Sequence, residues 1–138
     1  MSERVKITNS EVLSRRWARN TMYTIDYRFR DGRRETLLRE VHDHGSGAAV
    51  LPYDRLRKTV LLVRQFRLPV HLSGRDGDTL EVCAGLLDGN DPETCAKREA
   101  EEELGYRLTN LRQVAQTFMT PGAVTEELTL FLANYDRA

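Results

Sequence analysis

No run of about 20 apolar residues occurs in the chain, so nothing in it has the length to cross a membrane as a helix. The first ten residues are too polar for a secretory signal, and a cytoplasmic protein without a membrane partner is expected. Cysteine is scarce: Cys83 and Cys95 are the only two, with no His or Cys at metal-ligand spacing, and they read as free buried thiols rather than a disulfide. The three histidines, His42, His44 and His71, form no ligand pattern and read as structural or solvent-facing. Net charge is absent too, since 21 Lys and Arg balance 21 Asp and Glu. That balance hides a division, because residues 1–67 hold 15 basic and 8 acidic residues while residues 68–138 hold 6 and 13. The basic charges are spread along alternating segments rather than gathered in one block. A small polyphosphate, or the acidic half of the chain itself, is therefore a better partner than nucleic acid.

What remains fits one compact hydrophobic core: 138 residues, 40% hydrophobic and 30% charged. Alternating apolar and polar residues predict strands over Val5–Leu13 and Thr21–Arg30, with Tyr23, Ile25, Tyr27 and Phe29 on one face. Asp31-Gly32 supplies a tight turn, so residues 21–41 are expected to form a hairpin. Short apolar runs predict buried strands at Ala48–Leu51 and Thr59–Arg64, then a loop over residues 72–78 and a strand at Thr79–Cys83. Leu111–Phe118 and Leu128–Ala133 read as the final strands.

Between them, Asp91 can cap a helix whose first residue is Pro92, and Gly105 can end it, which predicts one helix over residues 92–104. At about 100° per residue, Glu99, Glu102 and Glu103 fall on one face and Glu101 on the other. Three like charges that close call for a compensating cation. Mg²⁺, which takes hard oxygen ligands, suits them. Arg98 stands one turn before Glu102 and is expected to pair with it. Ala96, Ala100 and Leu104 recur every four residues, and the small alanines let that side lie close against a sheet.

The run GLLDGNDPETCAKREAEEELGY, Gly85–Tyr106, resembles the Nudix box. Arg98, Glu99, Ala100, Glu102, Glu103, Gly105 and Tyr106 match its fixed positions. The front departs from it: counting back from Arg98, the family's glycine falls at Ala84, the loop is one residue short, and Asp91 and Glu93 are the candidates to stand in for the family's first glutamate. The AGLLD front, with REV at residues 39–41, RQFR at 64–67 and PGAVTE at 121–126, looks like the GDP-mannose pyrophosphatase branch, within the ADP-ribose pyrophosphatase-like part of the family. That resemblance implies an α+β fold, a mixed β-sheet between helices. It also implies an N-terminal antiparallel β-arm (residues 1–44) shared across a homodimer, ahead of the Nudix domain at residues 45–138.

The resemblance further implies Mg²⁺-dependent hydrolysis of the pyrophosphate bond of a nucleoside diphosphate-sugar, GDP-mannose giving GMP and mannose 1-phosphate. ADP-ribose hydrolysis and an inactive nucleotide-binding module are the alternatives. By the same resemblance the Ala84 carbonyl, Glu99 and Glu103 hold the metal, and Glu102 and Arg98 complete the catalytic group. Gly85 and Leu86 are placed with the substrate-binding residues. Arg67 is expected to clamp the diphosphate, because a guanidinium matches phosphate oxygens in pairs. By resemblance, Arg39 and Glu40 are expected to contact the nucleotide from the arm of the other subunit, Glu126 the sugar side, and Trp17 to stack on the base or to pack in the core or the dimer. Relatives continue past a loop with another acidic residue and a further helix, so a C-terminal part is expected to be missing here, with Glu126 or Glu127 substituting for the late ligand or base.

Overall fold

The computed structural model describes residues 4–137, which fall into two compact units. The first contains the chain up to Gly45 together with Phe118–Glu126. Its frame is a three-stranded antiparallel sheet of β1 (Val5–Arg15), β2 (Arg19–Arg28) and β3 (Arg34–Asp43), in the order β1-β2-β3. The expected hairpin is present: β2 and β3 pair without a break from Arg28↔Arg34 to Arg19↔Asp43. Gly32, at φ 89°, supplies the left-handed residue of its turn, and Asp31 accepts a hydrogen bond from the Arg33 N–H. The alternating aromatics do share a face, since the Tyr27 and Phe29 rings meet edge to face at 4.9 Å. Guanidinium groups cover both rings, Arg4 at 5.5 Å from Tyr27 and Arg33 at 4.4 Å from Phe29.

The segment Phe118–Glu126 is tied to the end of β3. The His42 N–H donates to the Ala123 carbonyl at 2.8 Å, and the Thr125 N–H donates to the His42 carbonyl at 3.0 Å. The Thr125 hydroxyl donates to Asp43 at 2.9 Å, and this bond is the main reason the Asp43 carboxyl titrates below its usual range.

The second unit is built on β4 (Gly47–Asp54), whose residues Ala48, Ala49 and Val50 are buried. On one side β10 (Glu127–Arg137) runs parallel to it, and β9 (Tyr106–Phe118) lies beyond β10. On the other side β8 (Cys83–Leu86) pairs antiparallel with the start of β4 and β5 (Thr59–Val60) with its end. The sheet is therefore mixed. The single strand expected over Thr59–Arg64 is in fact two: after β5 the Leu61 N–H closes onto the Pro52 carbonyl, and β6 (Val63–Phe66) leaves to pair with β7 (Asp78–Glu81). That detour exposes both residues of β5 and one side of β6, so β5 and β6 are not the buried strands their composition suggested. A short helix, α1 (Leu68–Leu72), follows β6; one and a half turns are too few to show a helical period in sequence.

The principal helix also differs from expectation. Asp91 caps it as foreseen, accepting from the Thr94 N–H at 3.0 Å and the Thr94 hydroxyl at 2.6 Å. Helix α2 is regular only over Pro92–Glu99, and Ala100–Leu104 forms a wider π-turn before Gly105 ends it at φ 69°. Ala, Glu and Leu are all strong α-formers, so composition carries no sign of the wider turn. Cys95, Ala96 and Ala100 of this helix are buried against Ala48, Val50, Cys83, Phe131 and Ala133 of the sheet. These mostly small side chains let helix and sheet approach closely.

Candidate active site

The close approach is tightest at Gly85 on β8. A Cβ added there would lie 2.2 Å from Cδ and 2.4 Å from Oε1 of Glu99, so only glycine leaves room for that carboxylate. Glu99 is held in place by Arg98, whose Nη2 donates to Glu99 Oε1 at 2.7 Å and to the Leu86 carbonyl at 3.3 Å. The expected pairing of Arg98 with Glu102 is only a long contact of 4.0 Å, and the Glu102 side chain is 64% exposed. The π-turn explains the difference, because faces drawn at 100° per residue do not persist where the turn widens.

Glu103, exposed, lies in the π-turn, which packs against β8, the strand of Cys83. Burial first, and then a hydrogen bond to the Glu103 carboxylate, push the Cys83 thiol far above its ordinary range and keep it protonated. Cys95, the other thiol, donates to the Leu86 carbonyl at 3.3 Å and sits 3.5 Å from that of Gly85. Both cysteines are free and buried, as expected. Glu99 is thus fixed on Gly85, the neighbour of Ala84, and Glu103 follows it in the π-turn of the same helical segment. Among the described residues no three His, Cys, Asp or Glu side chains converge at metal-binding distance. Two carboxylates and a main-chain carbonyl are an all-oxygen set, and a hard divalent cation commonly takes only one or two carboxylates, leaving its other positions to water and phosphate. The residues fit such an ion.

Arg67 stands just after β6 and is not free. Its Nε and Nη2 donate to Oε1 and Oε2 of Glu81 at 2.9 and 2.7 Å, a two-bond fork that sequence reading missed. Arg67, together with the Thr79 hydroxyl, brings the Glu81 carboxyl down to about 2. Glu81 and Thr79 do alternate along β7, which was the available signal.

The remaining candidates lie in the first unit. Arg39 and Glu40 of β3 line a cavity of about 620 Å³ together with Phe118, Pro121 and Val124. Glu126 ends the same segment, half-buried. Trp17, in the turn between β1 and β2, opens on a different concavity, with Arg15, Arg19 and His44. At 74% exposure it is not a core residue of this chain, because the three-residue turn Arg16–Ala18 lifts it off the sheet. Its indole stacks on His44 with centroids 5.0 Å apart, and His42 beside them bonds Asn20 at 2.8 Å. His42 and His44 thus have the structural character expected of them.

Comparison with known proteins matches residues 43–137 to the NUDIX domain. The chain belongs to the Nudix hydrolase family. Residues 4–42 match the GDP-mannose pyrophosphatase NudK N-terminal domain. A GDP-mannose pyrophosphatase of Yersinia enterocolitica is 43% identical over 136 residues, covering 98% of this chain and 71% of the relative. One of Pectobacterium atrosepticum is 42% identical over 139 residues, covering 100% of this chain and 72% of the relative. Among solved structures, one titled an ADP compounds hydrolase superposes with a TM-score of 0.74 at 20% identity, over 96% of this chain and 68% of the other. It shares the α+β Nudix fold expected from sequence. Nudix hydrolases generally use a divalent metal, and among the described residues no helix is long and apolar enough to cross a membrane.

Proposed function

We propose that this Nudix hydrolase cleaves the pyrophosphate bond of a nucleoside diphosphate-sugar, GDP-mannose, with water to give GMP and mannose 1-phosphate, using Mg²⁺. The observation that carries this reading is Glu99 fixed on Gly85 beside Ala84, with Glu103 following in the π-turn of the same helical segment. The names of the relatives at 43% and 42% identity supply the substrate. Ala84, Glu99 and Glu103 hold the cation, which when bound neutralises the diphosphate and exposes its phosphorus to an in-line water. Arg98 keeps Glu99 over the strand by bridging it to the Leu86 carbonyl. Glu102, exposed, is free to take a proton or an outer-shell water. Arg67 clamps the diphosphate, Gly85 and Leu86 border it, Arg39, Glu40 and Trp17 contact the nucleotide, and Glu126 the sugar.

The β-arm at residues 1–44 precedes a catalytic domain at 45–138 and makes the protein a homodimer. Val5, Ile7, Val12, Leu13 and Leu38 are exposed on the arm, and a bare three-stranded sheet gains from covering such residues. The free thiols suit the reducing cytoplasm. No role for nucleic acid or membrane is proposed.

Phosphatase-coupled release of phosphate from GDP-mannose and ADP-ribose, side by side with and without Mg²⁺, tests the function. Mg²⁺-dependent cleavage with GDP-mannose preferred is expected. Preference for ADP-ribose would move the substrate, and no cleavage of either would leave a nucleotide-binding module.

A further inference from the structure

Glu81 is poorly described as one half of a surface ion pair. Each of its oxygens receives two donors: Oε1 takes the Nε–H of Arg67 at 2.9 Å and the Thr79 hydroxyl, while Oε2 takes Nη2–H of Arg67 at 2.7 Å and the Gln65 amide at 3.4 Å. Gln65 and Thr79 face each other across the β6–β7 pair, where Glu81 opposes Val63, so the carboxylate is gripped by the two strands that carry it. With its lone pairs filled by four donors it has little left to offer a metal. Arg67 is only partly used. Of the five N–H groups of a guanidinium, the fork takes the Nε–H and one on Nη2, and Nη1 has no hydrogen-bond partner among the described residues. The edge left over is the end formed by Nη1 and Nη2, the one suited to grip two oxygens of a phosphate. The charge of Glu103 also acts on Arg67 and favours its charged form.

We propose that Glu81 is a positioning residue for the hydrolysis: it holds Arg67 by its side so that the Nη1/Nη2 end is presented to the diphosphate before substrate arrives. The inference rests on the reading under "Proposed function", with Arg67 as the clamp. It gives Arg67 little rotamer freedom to lose on binding and makes the clamp dependent on β7, to which it is not joined in sequence.

The test is a double-mutant cycle on Mg²⁺-dependent hydrolysis of GDP-mannose with Arg67→Ala, Glu81→Gln and the double variant. Arg67→Ala is expected to lower kcat/KM by about 100-fold. Glu81→Gln, acting through Arg67, should lower it by about tenfold, and the double variant should be no worse than Arg67→Ala. Added guanidinium ion should restore part of the activity of Arg67→Ala and none of the double variant's, a readout a purely structural role would not move. If Glu81→Gln does not fold, Thr79→Val removes one donor from the same carboxylate and should matter in the wild-type background but not beside Arg67→Ala. Losses that multiply in the double variant, or rescue that ignores Glu81, would overturn the proposal while leaving the function intact. A wild-type protein that hydrolyses no nucleoside diphosphate-sugar would overturn the function, and this inference with it.

Discussion

The two larger sheets of this protein are held by the same backbone hydrogen bonds and differ in what lies behind them. β1 has eleven residues, all exposed, and the described part of the first unit buries little besides Ala18 and Thr21. In the second unit β4, β8, β10 and α2 share one continuous core whose members Ala48, Cys83, Cys95, Ala100 and Ala133 are at 0% exposure. Precision follows burial. A carboxylate can be fixed against a glycine only where both of its supports are packed, and that is where Glu99 meets Gly85. The arm has its registry from hydrogen bonding, including two irregularities in the β1–β2 pairing, and offers surface rather than a packed site.

This contrast can be broken most severely at its tightest point. Gly85→Ala places a methyl group inside the Glu99 carboxylate, and kcat/KM should fall by about 100-fold or more, measured by coupled phosphate release. Thickening the same layer farther from the chemistry should cost stability: Ala100→Leu is expected to lose about 1–3 kcal/mol in urea unfolding, since the site is fully buried. A comparable change on the arm should behave differently. Ile7→Asp, at 61% exposure, should alter the fold by under about 0.5 kcal/mol yet lower the mass seen by light scattering from dimer to monomer. A mass unchanged from wild type would show that the arm needs no cover there.

The smallest effect expected concerns pH. The Glu81 carboxyl is depressed in the folded protein, from 4.5 to about 2, so the stability it adds is present above about pH 4.5 and is lost as the pH falls toward 2. The melting temperatures of wild type and Glu81→Gln should therefore differ at pH 6 and converge as the pH approaches 2. A gap that stays constant with pH would mean that the fork with Arg67 contributes nothing through its charge.

Much of this was legible in the residues. Period-two alternation marked β1 and β2, Asp31-Gly32 marked their turn into β3, and Asp91, Pro92 and Gly105 marked both ends of the helical segment, because each rests on a local backbone requirement. The illegible features depend on partners distant in sequence. Nothing in Thr59–Arg64 announces that its halves pair with different strands. The fork between Arg67 and Glu81 spans 14 residues. The π-turn is made from residues that all favour an α-helix, and it transfers Arg98 from Glu102 to Glu99 and leaves Glu102 in solvent. The glycine at position 85 was read as the opening of the Nudix-like run and as a substrate-binding residue, and the carboxylate that rests on it, a partner 14 residues away, was not foreseen.

The proposed roles of Glu99 and Glu103 as the pair that holds the cation with Ala84 are tested most directly by Mg²⁺-dependent turnover of Glu103→Gln beside wild type. The change removes a charge from an exposed side chain and no atom from the core. The far-ultraviolet dichroism should be unchanged, and turnover should fall by at least about 100-fold at every Mg²⁺ concentration. Wild-type turnover with a wild-type Mg²⁺ requirement in Glu103→Gln would contradict those roles.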